Sequence, residues 1–433
     1  MSEPVFRVEG ALESLAGELA PLLDRATSQD ESVRAGTAAI LARVRRGGDA
    51  ALRELARELD GATLDALEVP RAALRGALDA LDPALRRALE RAAANIATAH
   101  RAFLPAAVEV ETEPGVIVGR RADPLDAVGV YAPGGRAAYP SSLLMGAIPA
   151  RVAGVPSVIV CSPPASDGLP SRVVLAAAEL AGVDRVFAIG GAGAVAAMAY
   201  GTESVPAVSR IVGPGNAWVA EAKLQVAGVV GIDSPAGPSE LLVIADDGAV
   251  PTTVAREVLA QAEHDPRAAV VVVAVGARVA GEVADAIRAA ISSAPRAGII
   301  RQALASRGAV LSTASLDAAV AFANRYAPEH LLLAVRDPEA LLPCVRDAGT
   351  VFLGASSSVA FGDYMTGANH VLPTGRAARS YSGLSTLDFV RWTTYQRVGP
   401  DAAARLAADV AAFAEAEGLP GHAAAARAWE VAS

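Results

Sequence analysis

AVGVYAPGG, at residues 127–135, is the first of four short apolar runs that end in Gly- or Pro-containing turns; the others are SVIVCSPP (157–164), RVFAIGG (185–191) and RIVGPGN (210–216). Ala-rich stretches separate them, for example residues 171–181. β-forming runs that alternate with helices are typical of βαβ units and a parallel sheet. Ligands bind at the carboxyl ends of the strands in such sheets, so we expect functional polar residues in the loops there.

A second series of similar runs follows residue 239: LLVIAD (241–246), AVVVVAV (269–275), GAVLST (308–313), HLLLAV (330–335) and TVFLG (350–354). Two consecutive series predict an α/β protein with two related domains and a cleft between them. Residues 32–104 have the pattern of a helical collar, with Asp82 capping a helix that begins at Pro83. About 50 residues at the C-terminus are too few to form a core of their own, so we expect them to pack on another domain or subunit.

The amino-acid composition excludes several classes of protein. Hydrophobic residues make up 52% of the 433 residues and charged residues 20%, which is typical of a globular protein. The net charge of −9 argues against nucleic-acid or anionic-membrane partners, which need clustered Lys and Arg. Two cysteines provide no disulfide framework, and the polar opening MSEPVFRVEG does not resemble a signal peptide, so we predict a cytoplasmic location.

The stretch GDYMTGANHVLPT (362–374) has an unusual inventory for a surface loop. It contains a carboxylate (Asp363), an amide (Asn369) and an imidazole (His370) among glycines and a proline. The polar groups follow neither a helical nor a strand period, so the stretch is predicted to be a loop. The loop is either an ordinary polar surface loop or one that contains catalytic or ligand-binding residues.

Four of the five histidines lie beyond residue 260, and each has an acid or amide nearby. Gln261 and His264 are three residues apart at the end of a predicted helix, and such a pair projects from one face. Two imidazoles with a carboxylate suit Zn²⁺ or a related metal, although this spacing also fits surface pairs. His100 stands late in a helix, so we interpret it as a surface or capping residue.

Glu329 and His330 are adjacent, and both can face one site only at the mouth of a strand, where APEH precedes LLLAV. Such a pair suits general acid-base chemistry; the alternative is a solvated charge pair at a helix end. Residues 191–196 match Gly-x-Gly-x-x-Ala, a weak dinucleotide signal because no acid follows about 20 residues later. The turn GPGN (213–216) is equally able to bring its backbone close to a phosphate. We interpret Cys161 as a buried small residue.

The chain resembles the bacterial histidinol dehydrogenase family. The motifs that carry the resemblance span nearly the whole sequence: VGVYAPGGRAAYPSSLLM (128–145), YGTESVP (200–206), GPGNAWVAEAK (213–223), AGPSELLVIAD (236–246), QAEHDP, YAPEHL, GDYMTGANHVLPT and EGLPGH. The resemblance implies oxidation of L-histidinol to L-histidine through an enzyme-held aldehyde, with two NAD⁺ used in turn. It also implies a homodimer in which the C-terminal tail completes the site of the partner.

The resemblance implies a role for each matching residue. Gln261, His264, Asp363 and His422 correspond to ligands of one Zn²⁺ per subunit, which also holds the substrate. Glu329 and His330 correspond to the acid-base pair. Ser239, His370 and Glu417 correspond to further substrate contacts. Tyr131 and Asn216 correspond to NAD contacts, and Gly193 stands where the family usually has a Gln that contacts NAD.

The predicted fold is accordingly α/β, with two related, incomplete Rossmann-like parallel-sheet domains, a helical N-terminal part and a small C-terminal tail domain. The predicted boundaries are an N-terminal helical arm (1–30), a first α/β domain (31–121 with 236–380), a second α/β domain (122–235) and the tail (381–433). Two alternatives to histidinol oxidation stay open from the sequence. They are a related NAD-dependent dehydrogenase of another amino alcohol or polyol, and a metal-binding or regulatory α/β protein without activity.

Overall fold

The computed structural model describes residues 5–15, 19–25, 30–134 and 138–430. The chain forms two compact units: the larger unit comprises Met1–Phe103 and Asp126–Phe389, and the smaller unit comprises Leu104–Leu125 and Val390–Ser433. The boundaries of the four domains stated above remain a prediction. None of the helices in the described ranges combines the length and apolar character needed to cross a membrane.

The strands of the described residues are, in chain order, β1 (Val8–Ala11), β2 (Val108–Glu113), β3 (Val116–Pro124), β4 (Ala127–Tyr131), β5 (Ser157–Ser162), β6 (Arg185–Ala188), β7 (Arg210–Val212), β8 (Gly231–Ile232), β9 (Glu240–Ala245), β10 (Ala269–Val275), β11 (Gly308–Thr313), β12 (His330–Ala334), β13 (Thr350–Leu353) and β14 (Val390–Val398).

The helices are α1 (Ala20–Leu23), α2 (Glu31–Leu55), α3 (Arg71–Asp79), α4 (Pro83–Ala102), α5 (Pro140–Val152), α6 (Arg172–Leu180), α7 (Gly191–Tyr200), α8 (Ala217–Val226), α9 (Pro251–Ala262), α10 (Ala277–Ile291), α11 (Ala297–Arg307), α12 (Leu316–Tyr326), α13 (Pro338–Leu341), α14 (Val359–Tyr364), α15 (Pro400–Ala416) and α16 (Pro420–Arg427). Short 3₁₀ turns span Leu12–Ser14, Leu342–Cys344, Ala377–Arg379 and Thr386–Phe389, and a π-helical turn spans Ala56–Asp60.

Two parallel sheets in the larger unit confirm the predicted α/β class. The five-stranded sheet has the order β6-β5-β4-β7-β8, and the six-stranded sheet has the order β1-β11-β10-β9-β12-β13. Without the edge strand β1, each sheet has five strands. If the strands of each sheet are numbered 1 to 5 along the chain, both sheets have the order 3-2-1-4-5, and the direction in which strands are added reverses beside strand 1. The apolar runs 127–216 and 241–354 therefore form two copies of one arrangement.

Side-chain alternation builds the core of the six-stranded sheet. Leu241 and Val243 of β9 face a cluster with α9, α10 and α11, and Leu242 and Ile244 face a cluster with α12. Because successive residues of a strand point to opposite faces, a strand covered on both sides is apolar at every position. The runs could therefore be recognised in the sequence.

The helical collar forms as expected. Asp82 Oδ1 accepts hydrogen bonds from the N–H groups of Ala84 and Leu85, and Pro83 is the first residue of α4. Gly48, in the sequence Gly-Gly-Asp, has a φ of 52° and kinks α2. The collar helices pack on the helices of the five-stranded sheet: α2 contacts α7 and α8, α3 contacts α6, and α4 contacts α5.

The expected N-terminal helical arm is only partly helical. Residues 1–4, 16–18 and 26–29 of that arm lie outside the described residues. Val8–Ala11 is a strand that pairs with β11, because Phe6 and Val8 are buried against the sheet. Among the described residues of the arm, helical structure is limited to the turns Leu12–Ser14 and Ala20–Leu23.

The smaller unit contains an antiparallel sheet, β14-β3-β2, that the sequence patterns did not predict. Its second part is the helix pair α15 and α16, whose buried contacts are made by Ala411, Ala414 and Ala423. Alanine side chains bury little area, so this helix pair has a small core.

Candidate active site

Glu329 and His330 lie where β12 begins, beside the start of β9. His330 is paired with Leu241 and with Thr350 in the neighbouring strands. This is the amino edge of the six-stranded sheet, so the expectation of functional residues at carboxyl ends is wrong for this pair. The pair stands at a strand mouth because Ala327 ends α12 in the left-handed conformation and the chain then enters β12.

The His330 ring is held in one orientation. Its Nδ1–H donates to the carbonyl oxygen of Glu240 at 2.9 Å. Its Nε2 has no hydrogen-bond partner among the described residues and lies 3.6 Å from Oδ1 of Asp363. In the neutral ring Nδ1 keeps its proton and Nε2 carries the lone pair, so His330 can act as a base only through Nε2.

Glu329 is buried and is locked to Glu240 by reciprocal hydrogen bonds. The Glu240 N–H donates to Oε2 of Glu329 at 2.7 Å, and the Glu329 N–H donates to Oε2 of Glu240 at 3.4 Å. Arg25 donates from Nε and Nη2 to the two Glu240 oxygens at 2.8 and 3.1 Å. Arg25 and Glu240 were not singled out from the sequence, because residues 215 positions apart give no local signal.

The carboxylates around His330 control its charge. Burial lowers the His330 pKa, but Glu329 and Asp363 outweigh this effect and raise the pKa to about 10. Burial raises the pKa of Glu329, and the charge of His330 opposes that shift. Burial also acts to raise the pKa of Asp363, but the His330 ring, whose Nε2 lies 3.6 Å from Oδ1, lowers it below its usual value. A cation held by Asp363 would weaken the effect of this carboxylate on His330 and lower the His330 pKa.

The stretch 362–374 is not wholly a loop. Gly362, Asp363 and Tyr364 form the last turn of α14, because the helix starts upstream at Val359 and extends into the quoted motif. His370 donates from Nδ1 to the carbonyl oxygen of Asp363 at 2.8 Å, so the two residues are joined through the backbone. Its Nε2 lies 3.3 Å from Oγ of Ser142, a partner on α5 that the sequence did not reveal. Burial lowers the pKa of His370.

The residues that resemble zinc ligands are divided between the two units. Gln261 is buried on the last turn of α9, and His264 follows that helix, exposed, with Nδ1 at 3.4 Å from Oγ of Ser239. No group of three His, Cys, Asp or Glu side chains suited to a metal occurs in the described ranges. Gln261 Nε2 is buried with no hydrogen-bond partner there, however, and His264 lowers the Asp363 pKa through its charge. A buried amide without a partner, three residues before an imidazole, fits a metal site that needs further ligands.

Glu417 and His422 belong to the smaller unit. Glu417 caps the end of α15, and His422 lies in the first turn of α16, where its N–H donates to the Leu419 carbonyl oxygen at 3.1 Å. Both side chains are exposed within their unit. Their expected roles as ligand and substrate contact remain predictions.

The residues expected to contact NAD surround the switch point of the five-stranded sheet. Tyr131 ends β4, and its hydroxyl oxygen accepts from the Gly191 N–H at 3.1 Å. The next turn, after β7, is fixed by a buried pair: Lys223 contacts Asp233, and Asp233 Oδ2 accepts from the Gly213 N–H at 2.7 Å. Gly213 has a φ of 115°, and a Cβ there would lie 2.2 Å from the Tyr131 carbonyl oxygen. This close approach requires glycine.

Asn216 and Gly193 have structural roles as well. Asn216 Oδ1 caps α8 by accepting from the N–H groups of Trp218 and Val219 at 3.0 and 3.1 Å. Gly193 lies in α7, where a Cβ would make ordinary contacts of 3.4 and 3.5 Å with Leu55 and Leu52 of α2. Position 193 can therefore accept the Cβ atom of a larger side chain.

An acid does approach the glycine-rich turn, although not from the expected place. Asp60 ends the π-helical turn after α2, and its Oδ2 would lie 3.3 Å from a Cβ on Gly190. Burial raises the Asp60 pKa. The dinucleotide motif has its acid about 20 residues after the glycines, whereas Asp60 lies 130 residues before Gly190.

Two further interpretations are settled by burial. Cys161 is fully buried in β5 and burial raises its pKa, which confirms a buried small residue. The interpretation of His100 as a surface or capping residue is wrong: the side chain is 1% exposed and burial lowers its pKa to about 4. It continues the buried face of Leu89, Ala92 and Ile96 on α4, so helical phase decides its environment.

The fold and the site together define an α/β oxidoreductase: glycine-rich turns lie at the switch point of one parallel sheet, and a buried histidine base lies at the edge of the other. A sequence model described as histidinol dehydrogenase matches residues 23–429. The chain therefore belongs to the histidinol dehydrogenase family, whose members are NAD-dependent dehydrogenases that oxidise histidinol in histidine biosynthesis.

Individual relatives agree with this assignment. The chain is 47% identical to the histidinol dehydrogenase of Methanothermobacter thermautotrophicus over 405 residues, covering 94% of this chain and 95% of the relative. It is 49% identical to that of Natronomonas pharaonis over 394 residues, covering 91% and 92%. The crystal structure of histidinol dehydrogenase from Elizabethkingia anophelis superposes with a TM-score of 0.94 at 33% identity, covering 99% of both chains. The predicted family, α/β class and activity are confirmed.

Proposed function

We propose that the chain oxidises L-histidinol to L-histidine in two steps, with His330 as the base in both. In the first step, His330 Nε2 takes the hydroxyl proton while a hydride passes to NAD⁺, which leaves the aldehyde and NADH. In the second step, Glu329 activates a water that adds to the aldehyde. Once its first proton has passed to solvent, His330 accepts a proton from the hydrate as a second hydride passes to a second NAD⁺, and the resulting carboxylic acid ionises to the carboxylate.

The observation that carries this proposal is the fixed tautomer of His330. The Glu240 carbonyl oxygen occupies Nδ1, so Nε2 is the only ring nitrogen available for proton transfer. Oε2 of Glu329 lies 3.3 Å from Nδ1 of the same ring, so its charge stabilises the imidazolium that forms when Nε2 takes a proton. The stoichiometry tests the function: two NADH should form per L-histidine. A yield of one NADH with accumulation of aldehyde would contradict the second step.

We also propose that one Zn²⁺ is held by Gln261, His264 and Asp363 from one subunit and His422 from another. Bound there, the ion would orient the substrate through its imidazole and amine, which raises the effective concentration of the reacting groups. Ser239, His370 and Glu417 are proposed to complete the substrate contacts. For His370, the Nδ1–H bond to the Asp363 carbonyl oxygen makes Nε2 of the neutral ring an acceptor, and Ser142 Oγ lies 3.3 Å from it.

The proposed dimer rests on the smaller unit. Phe413 is 71% exposed and Trp429 is 60% exposed, and Val108 and Val110 of β2 are exposed as well. Large exposed apolar side chains on a small unit are typical of a surface that another chain covers. We therefore propose a homodimer with shared active sites and, for a biosynthetic enzyme, a cytoplasmic location.

A mixture of two inactive variants is expected to regain activity if the sites are shared. In a heterodimer of His330→Ala and His422→Ala chains, one site carries both changes and the other carries neither. Full exchange of equal amounts should restore about a quarter of wild-type activity, because half the dimers are mixed and each has one intact site. The measurement is NADH formation after exchange, which differently tagged chains verify. Activity that stays at the level of the separate variants after verified exchange contradicts the shared site.

Gly193→Gln is expected to lower the KM for NAD⁺. The family usually has a Gln here, and one added hydrogen bond changes affinity by roughly two- to tenfold. The position accepts a Cβ with ordinary contacts to Leu52 and Leu55. Gly193→Ala is the matched control, since it adds the Cβ without the amide and should leave the KM near the wild-type value. An unchanged KM in the Gln variant would count against a direct contact with NAD at this position.

A further inference from the structure

A cleft of about 610 Å³ lies on the larger unit and is lined by Arg346, Asp347, Arg376, Arg379 and Ser380. Arg346 and Asp347 precede β13, and the other three residues lie in or beside the 3₁₀ turn Ala377–Arg379. The volume is in the range of small-molecule sites. None of these residues has a role in the proposed reaction.

The charge in the cleft is not balanced. Three guanidinium groups face one carboxylate, and none of the three arginines forms an ion pair with a carboxylate of the described residues. Arg376 Nε is buried and lacks a hydrogen-bond partner there. Burial, reinforced by the charges of Arg379, Arg25 and Arg325, lowers the pKa of Arg376. Like charges that outnumber their counter-ions destabilise a fold unless a ligand neutralises the excess.

Arg376 also has a strained backbone. Its φ is 69°, in the left-handed region that favours glycine. The residues before it are anchored: the Gly375 N–H donates to Oε1 of Glu240 at 2.9 Å, and Thr374 Oγ1 accepts from the Gly237 N–H at 2.5 Å. Strained residues that their surroundings hold in place are concentrated at ligand sites.

We propose that this cleft binds a phosphate-bearing anion, with Arg376 and Arg379 as its main donors. Guanidinium groups match phosphate oxygens with two parallel hydrogen bonds each, and the Ser380 hydroxyl adds a neutral donor. The cleft is much larger than one phosphate ion, which leaves space for an organic group. A phosphate monoester therefore fits the cleft better than inorganic phosphate.

Calorimetric titration of the full-length protein tests this assignment. The probes are inorganic phosphate and glycerol 3-phosphate, with glycerol as the uncharged control, all at one ionic strength. Both phosphates are expected to bind and glycerol is not. Tighter binding of glycerol 3-phosphate identifies an ester as the ligand class, and equal binding identifies free phosphate. A wild-type protein that binds neither phosphate at millimolar concentration overturns the proposal.

Two cleft variants and one matched control locate the binding. Arg379→Gln and Arg376→Gly are each expected to weaken phosphate binding by roughly tenfold, because each removes charge-assisted hydrogen bonds. Arg301→Gln, on the exposed side of α11, makes the same chemical change elsewhere and should bind as the wild type does. Phosphate binding that both cleft variants retain at full strength also overturns the proposal.

Arg376→Gly separates loss of the ligand from loss of the fold. The change removes an unbalanced charge and relieves the left-handed backbone, so the melting temperature should stay the same or rise while binding weakens. Histidinol oxidation should persist in this variant, so the result does not depend on the proposed function. A melting temperature that falls together with binding would show that Arg376 supports the fold instead, and would contradict the site.

Discussion

Replacing His330 with Ala is expected to lower kcat for both oxidation steps by about 10²- to 10⁴-fold, the usual contribution of a general base. The cause is the loss of Nε2, which among the described residues of the site is the one buried imidazole nitrogen without a hydrogen-bond partner. Measured separately with L-histidinol and with L-histidinaldehyde, NADH formation should fall in both assays. A variant that keeps more than a tenth of wild-type kcat in either assay contradicts the assignment for that step.

Two further variants distinguish loss of the catalytic base from general damage to the fold. Glu329→Gln keeps an oxygen that can accept the Glu240 N–H, so His330 stays in place, but it cannot activate water. Its oxidation of the aldehyde should fall more than its oxidation of the alcohol. His100→Leu removes another buried imidazole, one with no described partner for either ring nitrogen, and should leave kcat unchanged. An equal loss in all three variants would indicate general damage to the fold.

Local patterns in the sequence predicted the two parallel sheets correctly, because strands covered on both faces are apolar at every position. The antiparallel sheet escaped detection for the opposite reason. β2 is exposed throughout and reads VEVETE, and its sheet is completed by β14, which follows almost 300 residues later. Val and Glu alternate in β2 with the period of a strand, but only over a few residues, and no local signal links this short segment to β14.

The partly wrong reading of 362–374 has a similar cause. The helix that contains Asp363 starts at Val359, outside the quoted motif, and ends before Gly367, whose φ is 92°. Glycines and a proline correctly predicted irregular backbone for the later residues. They could not show that the first three continue a helix that begins upstream.

Some functional residues could be recognised in the sequence and others could not. Glu329, His330 and His370 stood out because chemically active residue types were concentrated in short motifs. Arg25, Ser142 and Asp60 did not, since each reaches the site from a distant element and is common in surface positions. The hydrogen bonds from Arg25 to Glu240, and from Glu240 to Glu329, become visible only when the sheet brings residues 25, 240 and 329 together.

Removal of divalent metal is expected to abolish histidinol oxidation, and Zn²⁺ should restore it. The structural reason is the chemistry of three donors: a buried Gln261 amide without a hydrogen-bond partner among the described residues, His264 just after α9, and the Asp363 carboxylate of α14, whose pKa is lowered. Neutral imidazole and carboxylate oxygen are ligands that Zn²⁺ favours. The direct readout is metal content, which should be about one ion per chain in the untreated enzyme, as for a single four-ligand site.

Ligand variants distinguish a structural ion pair from a metal site. His264→Ala and His422→Ala should each lose bound Zn²⁺, while Glu282→Gln, an exposed carboxylate change on α10, should keep it. Zn²⁺ at a hundredfold excess over its Kd stabilises a folded site by about 2.7 kcal/mol, so added Zn²⁺ should raise the melting temperature of the wild type but not of the His264 variant. If His264→Ala binds Zn²⁺ as tightly as the wild type, the ion is held elsewhere. In that event the lowered Asp363 pKa reflects only the nearby imidazoles of His330, His370 and His264.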